Sequence, residues 1–327
     1  MSQPIVGWQR RDILYNSRVM MAPKRINLWR DYARRRWGEP VGKIILTTGI
    51  SCPHREQGGC AYCAPESFRP YYLQPGQSVE EQLELGRAYL RQLRVRCFMA
   101  GFQQETASAG DWPTLAHAFQ TALKDPDCLG LIVSTRPDYA SEEFLQRLES
   151  LAEAWRNKVV MVEVGLQTAN DKVLAAMNRG HTTADFMAAA VRIRSRSRFE
   201  LGAHLILGLP GERLEDMRQS VQMVVAAGVQ HLKLHHLQIV KGTPLARQYA
   251  RRPWPLPEPA EYLDWLCALL PEIPRTVVLH RLWSTCRPDL LLAPRWEWEP
   301  NRLYQQLAAL LEARNLRQGE VCLPVPA

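Results

Sequence analysis

The chain has 327 residues, 46% hydrophobic and 23% charged, enough to bury a large core as one α/β barrel with extensions or as two smaller domains. No apolar run is long enough for a helical membrane span, and the opening MSQPIVGWQRRD lacks an apolar signal core, so a cytoplasmic protein is expected. The net charge of +8 is uneven, because residues 1–40 hold nine Lys/Arg against three acids. With Trp8, Trp29, Tyr32 and Trp37 interleaved, this basic extension could meet phosphates and stack on bases, or its aromatics could pack on the main domain.

From residue 41 a rhythm of short apolar runs and amphipathic stretches begins. Lys43–Thr48 reads as a buried strand, followed by a loop with Cys52, Cys60 and Cys63. Ser78 with Glu81 is a capping-box signature opening a helix to about Leu93. Strands follow at Val95–Phe102 and Leu129–Thr135, separated by a helix near Trp112–Leu123. Ser141 caps a helix whose apolar residues Phe144, Leu145, Leu148, Leu151, Ala152 and Trp155 form one stripe. Val159–Gly165, Phe199–Leu207 and His231–Val240 complete six strands, each separated from the next by helical pattern. Short, unalternated apolar runs between helices are how buried parallel strands read. The expected fold is a partial (β/α)6 TIM-type barrel over residues 41–243, whose site lies at the C-terminal strand ends. Residues 244–327 form a C-terminal α/β extension packing on it. It has a proline-rich connector at Arg251–Pro259, a helix at Glu261–Leu270, a strand at Val277–His280, a loop and a helix at Asn301–Ala313.

The cysteine loop, spaced C-x7-C-x2-C in a Gly- and Pro-rich segment, points to metal or cluster ligation. Three thiolates on a four-iron cluster would leave one iron open to a small molecule. A structural zinc with His54 as fourth ligand uses the same residues, and a redox pair would use Cys60 and Cys63 alone. The other five cysteines, Cys97, Cys128, Cys267, Cys286 and Cys322, are scattered, as suits a reducing compartment.

Polar or glycine residues follow every strand, which argues for one shared pocket. They include Gln103, Ser134 to Asp138, Glu163 to Thr168, His204, Gly208 to Glu212, Lys233, His235, His236, and Lys241 to Thr243. Gly208-x-x-Gly211 lacks the pattern of a phosphate loop; its glycines would let a flat ring approach the backbone. His235 or His236 could donate a proton, since only one of the two faces inward on a strand. His235 and Lys241 are the candidates for catalysis.

The motifs RRRWG, ISCPHREQGGCAYC, STRPD, VEVGLQTANDKVLAAMNRGH, AHLILGLPGE, LKLHHLQIVKGT and LHR…RPDLLLAP resemble radical S-adenosylmethionine (SAM) enzymes. Within them the chain resembles the YhcC-like family, relatives of the radical SAM domain of the Elongator catalytic subunit. The superfamily's commonest cysteine spacing is C-x3-C-x2-C, and these relatives have longer first gaps. The resemblance implies a [4Fe–4S] cluster on Cys52, Cys60 and Cys63 and reductive cleavage of SAM to a 5′-deoxyadenosyl radical. It places Gln103 by the methionine moiety, Gln167 and Arg179 near the ribose and carboxylate, and Gly208, Gly211 and Glu212 beside the adenine. Glu163 and His204 complete the cofactor-pocket candidates. The implied partner is an electron donor such as flavodoxin or ferredoxin; RNA is a candidate partner from the basic extension alone. Neither an acetyltransferase domain nor an appended RNA-binding domain is recognisable. A zinc-stabilised nucleic-acid-binding protein is the alternative of a different class.

Overall fold

A computed structural model describes residues 25–321. Trp8, the basic residues Arg10 to Lys24 and Cys322 lie outside these residues.

The core is a seven-stranded parallel sheet in sequential order. Its strands are β1 (Val41–Leu46), β2 (Cys97–Phe102), β3 (Cys128–Thr135), β4 (Val159–Gln167), β5 (Phe199–Leu207), β6 (His231–His236) and β8 (Val278–Arg281). Among the described residues β1 and β8 do not pair, so the sheet is a half-barrel with an open side. The six expected strands are present, and the C-terminal segment adds β8 as a seventh. The expected sixth strand is broken: Ile239–Val240 leaves the sheet as β7 and pairs antiparallel with β9 (Leu291–Ala293), which falls in the expected loop.

Helices cover the convex face, and the caps that start them are local sequence chemistry. Ser78 and Glu81 form the capping box of α2 (Val79–Gln92), and Asp111 accepts from Thr114 N to start α3 (Trp112–Lys124). Ser141 caps α4 (Glu142–Glu153), Asn170 caps α5 (Asp171–Ala176), and Thr182 with Asp185 boxes α6 (Thr183–Arg194). Each cap satisfies backbone N–H groups that the first helical turn leaves unpaired. On β2, Phe98, Ala100 and Phe102 face these helices, and Phe102 meets Phe119 edge-on at 4.9 Å.

Alternation along the strands sends the other residues to the concave face. Its lower layer is apolar, with Val41, Cys97, Met99, Ile132, Met161 and Val278 in one cluster. The helix α1 (Trp29–Trp37) closes this end and places Trp29 and Ala33 in that cluster. Tyr32 and Trp37 pack beside it, so the described aromatics of the basic extension lie against the barrel.

Candidate metal centre

The cysteine loop leaves β1 through Gly49 and turns again at Gly58 and Gly59, all with φ between 68° and 90°. Side chains are strained in that left-handed region, so glycine suits both turns. The loop is held less by its own bonds than by the turn after α5. The Asn178 side-chain amide donates to Gln57 O at 3.1 Å and to Gly59 O at 2.7 Å, and the Asn178 backbone carbonyl pairs with His54 Nε2 at 2.5 Å. Ala61 N donates to Met177 O at 2.9 Å. Gly180 follows with φ +64°, and a Cβ there would stand 2.8 Å from the His54 ring. The absence of that atom lets the histidine pack under the loop.

Cations and donors converge on the sulfurs. Arg179 is buried, with Nη1 3.2 Å from Cys60 Sγ and Nη2 donating to Gly165 O at 2.7 Å. Arg136, also buried, approaches the same sulfur at 3.9 Å while its Nε donates to Asp138 at 3.0 Å. Thr106 donates its hydroxyl to Cys52 Sγ at 3.0 Å, and Cys52 N donates to Glu105. Burial and the neighbouring Cys60 push the Cys63 thiol up to about 12. Such a group becomes a thiolate only when a cation takes the place of its proton. Soft thiolate donors balanced by guanidinium charge fit an iron–sulfur cluster, whose irons each take their own cysteine. Among the described residues no three His, Cys, Asp or Glu side chains gather to hold a single metal ion. With Nε2 on the Asn178 carbonyl, His54 does not offer that nitrogen as a ligand.

The rim beside the cysteines is shaped by missing side chains. A Cβ on Gly165 would stand 2.6 Å from Gln167 Nε2 and 3.2 Å from Arg179 Nη2, so this glycine makes room for both. Gln167 is held at φ +78° by the irregular pairing of β4 with β5. Gly208 lies under Trp265, whose ring would be 3.0 Å from a Cβ, and Gly211 faces open space. Glu212 accepts from Leu209 N at 3.1 Å, and burial raises its carboxyl to about 7.

Below the rim the concave face is polar. Glu163 Oε2 accepts from Lys233 at 2.6 Å and Ser134 at 2.7 Å, and lies 3.0 Å from His204 Nε2 and 3.4 Å from Gln103 Nε2. Gly202 opposite leaves space for this side chain, since a Cβ there would meet Glu163 Cγ at 2.8 Å. Burial alone would raise the carboxyl, but the Lys233 and His204 charges hold it well below the usual range. His235 faces the same cavity with its ring 5.7 Å from that of His204, and burial with Arg281 nearby keeps it neutral. His236 points the other way, onto Trp296. Lys241 is exposed and donates to Asp289 O at 2.6 Å, away from these groups.

The structure thus brings Cys52, Cys60, Cys63, Gln167 and Arg179 to one rim, with Gln103, Glu163, His204 and His235 just inside it. Sequence reasoning did not assign roles to Thr106, Arg136 or Asn178. Arg136 stood in a recognised strand-end cluster. The N-R-G turn was the available signal for Asn178, because Asn and Gly tolerate positive φ.

The chain matches the Radical SAM superfamily over residues 46–224 and the Radical_SAM C-terminal domain over residues 229–312. It is 34% identical over 281 residues to Protein YhcC of Escherichia coli K12, covering 85% of this chain and 89% of that protein. A tRNA uridine(34) acetyltransferase of Methanocaldococcus jannaschii is 25% identical over 160 residues, 47% of this chain and 28% of that one. The solved structure of Elp3 from Methanocaldococcus infernus superposes with a TM-score of 0.64 at 16% identity, covering 85% of this chain and 64% of that one. Together with the half-barrel and its cysteine rim, these matches identify the chain as a member of the radical SAM superfamily, in its YhcC-like family.

Proposed function

We propose that the protein binds a [4Fe–4S] cluster through Cys52, Cys60 and Cys63 and reductively cleaves SAM. The observation that carries this reading is the convergence of Arg179 and Arg136 on the Cys60 sulfur at the C-terminal rim of the half-barrel. Held by Cys52, Cys60 and Cys63, a cluster would supply the one electron that reductive cleavage of SAM needs. The chain's own part is to bind, orient and seal. Arg179, Arg136 and the Thr106 hydroxyl offset negative charge at the sulfurs, and Gln103 and Gln167 present amides where a polar cofactor tail would lie. The plug of α1 under the apolar lower layer keeps water from entering beneath.

RNA is the substrate class this reading favours. Its support is the basic N-terminal extension and the partial likeness to a tRNA acetyltransferase. The electron would come from a flavodoxin or ferredoxin. Anaerobic reconstitution followed by iron and sulfide analysis tests the cluster, and dithionite with SAM tests for 5′-deoxyadenosine. Iron with sulfide and product formation support the reading; zinc alone, iron content unchanged in Cys60→Ala, or no 5′-deoxyadenosine overturns it. Salt-sensitive tRNA binding that accelerates SAM cleavage would support the substrate class. Its absence would favour a small molecule.

A further inference from the structure

Beneath the Glu163 cluster a second set of buried titratable groups runs in file from the cavity to the closed end of the half-barrel. Lys43 Nζ lies 2.6 Å from His280 Nδ1, and His280 Nε2 lies 2.8 Å from His231 Nδ1. His231 Nε2 is 2.9 Å from Glu200 Oε2, and the other Glu200 oxygen takes Arg36 Nη1 at 2.6 Å. Lys43, on β1, is half-buried on the concave face, where Lys233, Glu163 and Arg281 act on it. Glu200, on β5, keeps 17% of its side-chain surface exposed beside α1. Trp29 packs over the middle of the file, 4.5 Å from the His280 ring, and Tyr32 packs on His231 at 5.7 Å.

The order of the hydrogens follows from one end. Glu200 sits between Arg36 and His231, which hold its carboxyl ionised against its burial, and a carboxylate can only accept. His231 therefore donates from Nε2. Burial disfavours charge on either ring, so neutral His231 accepts at Nδ1 from His280 Nε2–H. His280 in turn accepts at Nδ1 from the Lys43 amine. Every donor points toward Glu200, and a proton entering at one end can leave at the other by three short hops.

We propose that Lys43, His280, His231 and Glu200 form a proton relay through the closed end of the half-barrel. The Lys43 amine accepts protons from a group bound over the concave floor, and Glu200 releases them to solvent. The proposal rests on reading the concave face as the reaction chamber. In one passage Lys43 gains a proton from the bound group and gives one to His280 Nδ1. His280 passes its Nε2 proton to His231 Nδ1, and His231 passes its Nε2 proton to Glu200. One proton crosses, both rings change tautomer, and no net charge stays behind once Glu200 discharges. Burial and the neighbouring Lys233 hold Lys43 well below an ordinary lysine, the direction that frees its amine to take a proton.

The test is ring-proton exchange in cluster-reconstituted protein labelled with 15N-histidine. Both His231 and His280 are expected as the Nε2–H tautomer. Glu200→Gln removes the port, so exchange of the His280 ring proton with D2O slows several-fold although His280 does not touch Glu200. A merely structural network predicts the opposite sign, because losing the charge that holds His231 and Arg36 loosens the packing and speeds exchange. Unchanged or faster exchange, or either ring carrying its proton on Nδ1, overturns the relay. If Glu200→Gln does not fold, Glu200→Asp, which retracts the carboxylate by one methylene, carries the same comparison. Neither readout needs SAM turnover. A failure to form 5′-deoxyadenosine would sink the proposed function and leave this test standing.

Discussion

The Arg179 guanidinium joins Cys60 Sγ, 3.2 Å from Nη1, to Gly165 O, 2.7 Å from Nη2, so a single buried cation ties the cysteine loop to the fourth strand. Charge and tether can be separated. Arg179→Gln removes the charge, and the reconstituted cluster is expected to reduce at a more negative potential, because the added electron loses a nearby cation. Arg179→Lys keeps a cation but cannot make both contacts. It should leave the potential closer to that of the wild type while iron is lost faster to a chelator. A redox titration with chelator challenge checks both variants, and a potential unmoved in Arg179→Gln would refute the charge role.

Asn178 holds the loop from the other side, with two donor bonds to loop carbonyls and a backbone φ of +49°. Asn178→Gly keeps the conformation and loses the bonds, a cost of about 1–2 kcal/mol. Asn178→Ala loses the bonds and also strains the left-handed turn, for about 1 kcal/mol more. Urea unfolding should therefore rank wild type above Gly and Gly above Ala. Equal midpoints for all three would show that the loop does not depend on this turn.

Much of this architecture was legible because buried parallel strands are short continuous apolar runs and their helices carry caps such as Ser78 and Ser141. The cysteine loop was legible because three thiols in a turn-rich segment have few other uses. The interior of the barrel was not. Lys43, Glu200 and His231 are polar residues in or beside apolar runs and resemble solvent-facing strand positions. What makes them interior is pairing across the fold, as when Lys43 meets His280 from a strand 237 residues away. β8 was visible as a strand, but its place in the main sheet depends on its register with His231 and Leu232, which no local pattern reports. That the aromatics of α1 could pack on the main domain was legible, but not where they would lodge. Nothing local in this basic segment reports that Trp29 plugs the barrel.

Trp29 is 9% exposed, donates Nε1–H to Val41 O at 3.2 Å and lies under the Lys43 amine nitrogen at 4.7 Å. Trp29→Ala removes the plug and opens the apolar lower layer, at a cost of about 3–5 kcal/mol. Trp29→Phe keeps most of the volume and loses the hydrogen bond, for about 1 kcal/mol. Calorimetric unfolding should order the variants this way. An alanine variant as stable as wild type would mean that α1 rests on the barrel without sealing it.

His236 gives the chain an acid-labile joint between the sheet and the C-terminal extension. Its ring stacks on Trp296 at 3.9 Å, Nδ1 accepts from Ser284 N at 3.2 Å, and burial lowers its pKa to about 3. His181, whose ring nitrogens have no hydrogen-bond partner among the described residues, is likewise lowered to about 3 by burial. Both folded values lie below the unfolded one of about 6.5, so between these limits the unfolded chain binds protons that the folded chain refuses. Stability from these histidines is full above the unfolded value and falls as pH drops below it, by about 1.4 kcal/mol per pH unit for each ring. His236→Asn can keep an acceptor for Ser284 N but cannot take up the proton. It should be less stable than wild type near neutrality, through the lost stacking, yet lose stability less steeply on acidification. Urea unfolding between about pH 7 and pH 5 measures the two slopes, and parallel slopes would show that His236 does not carry this linkage.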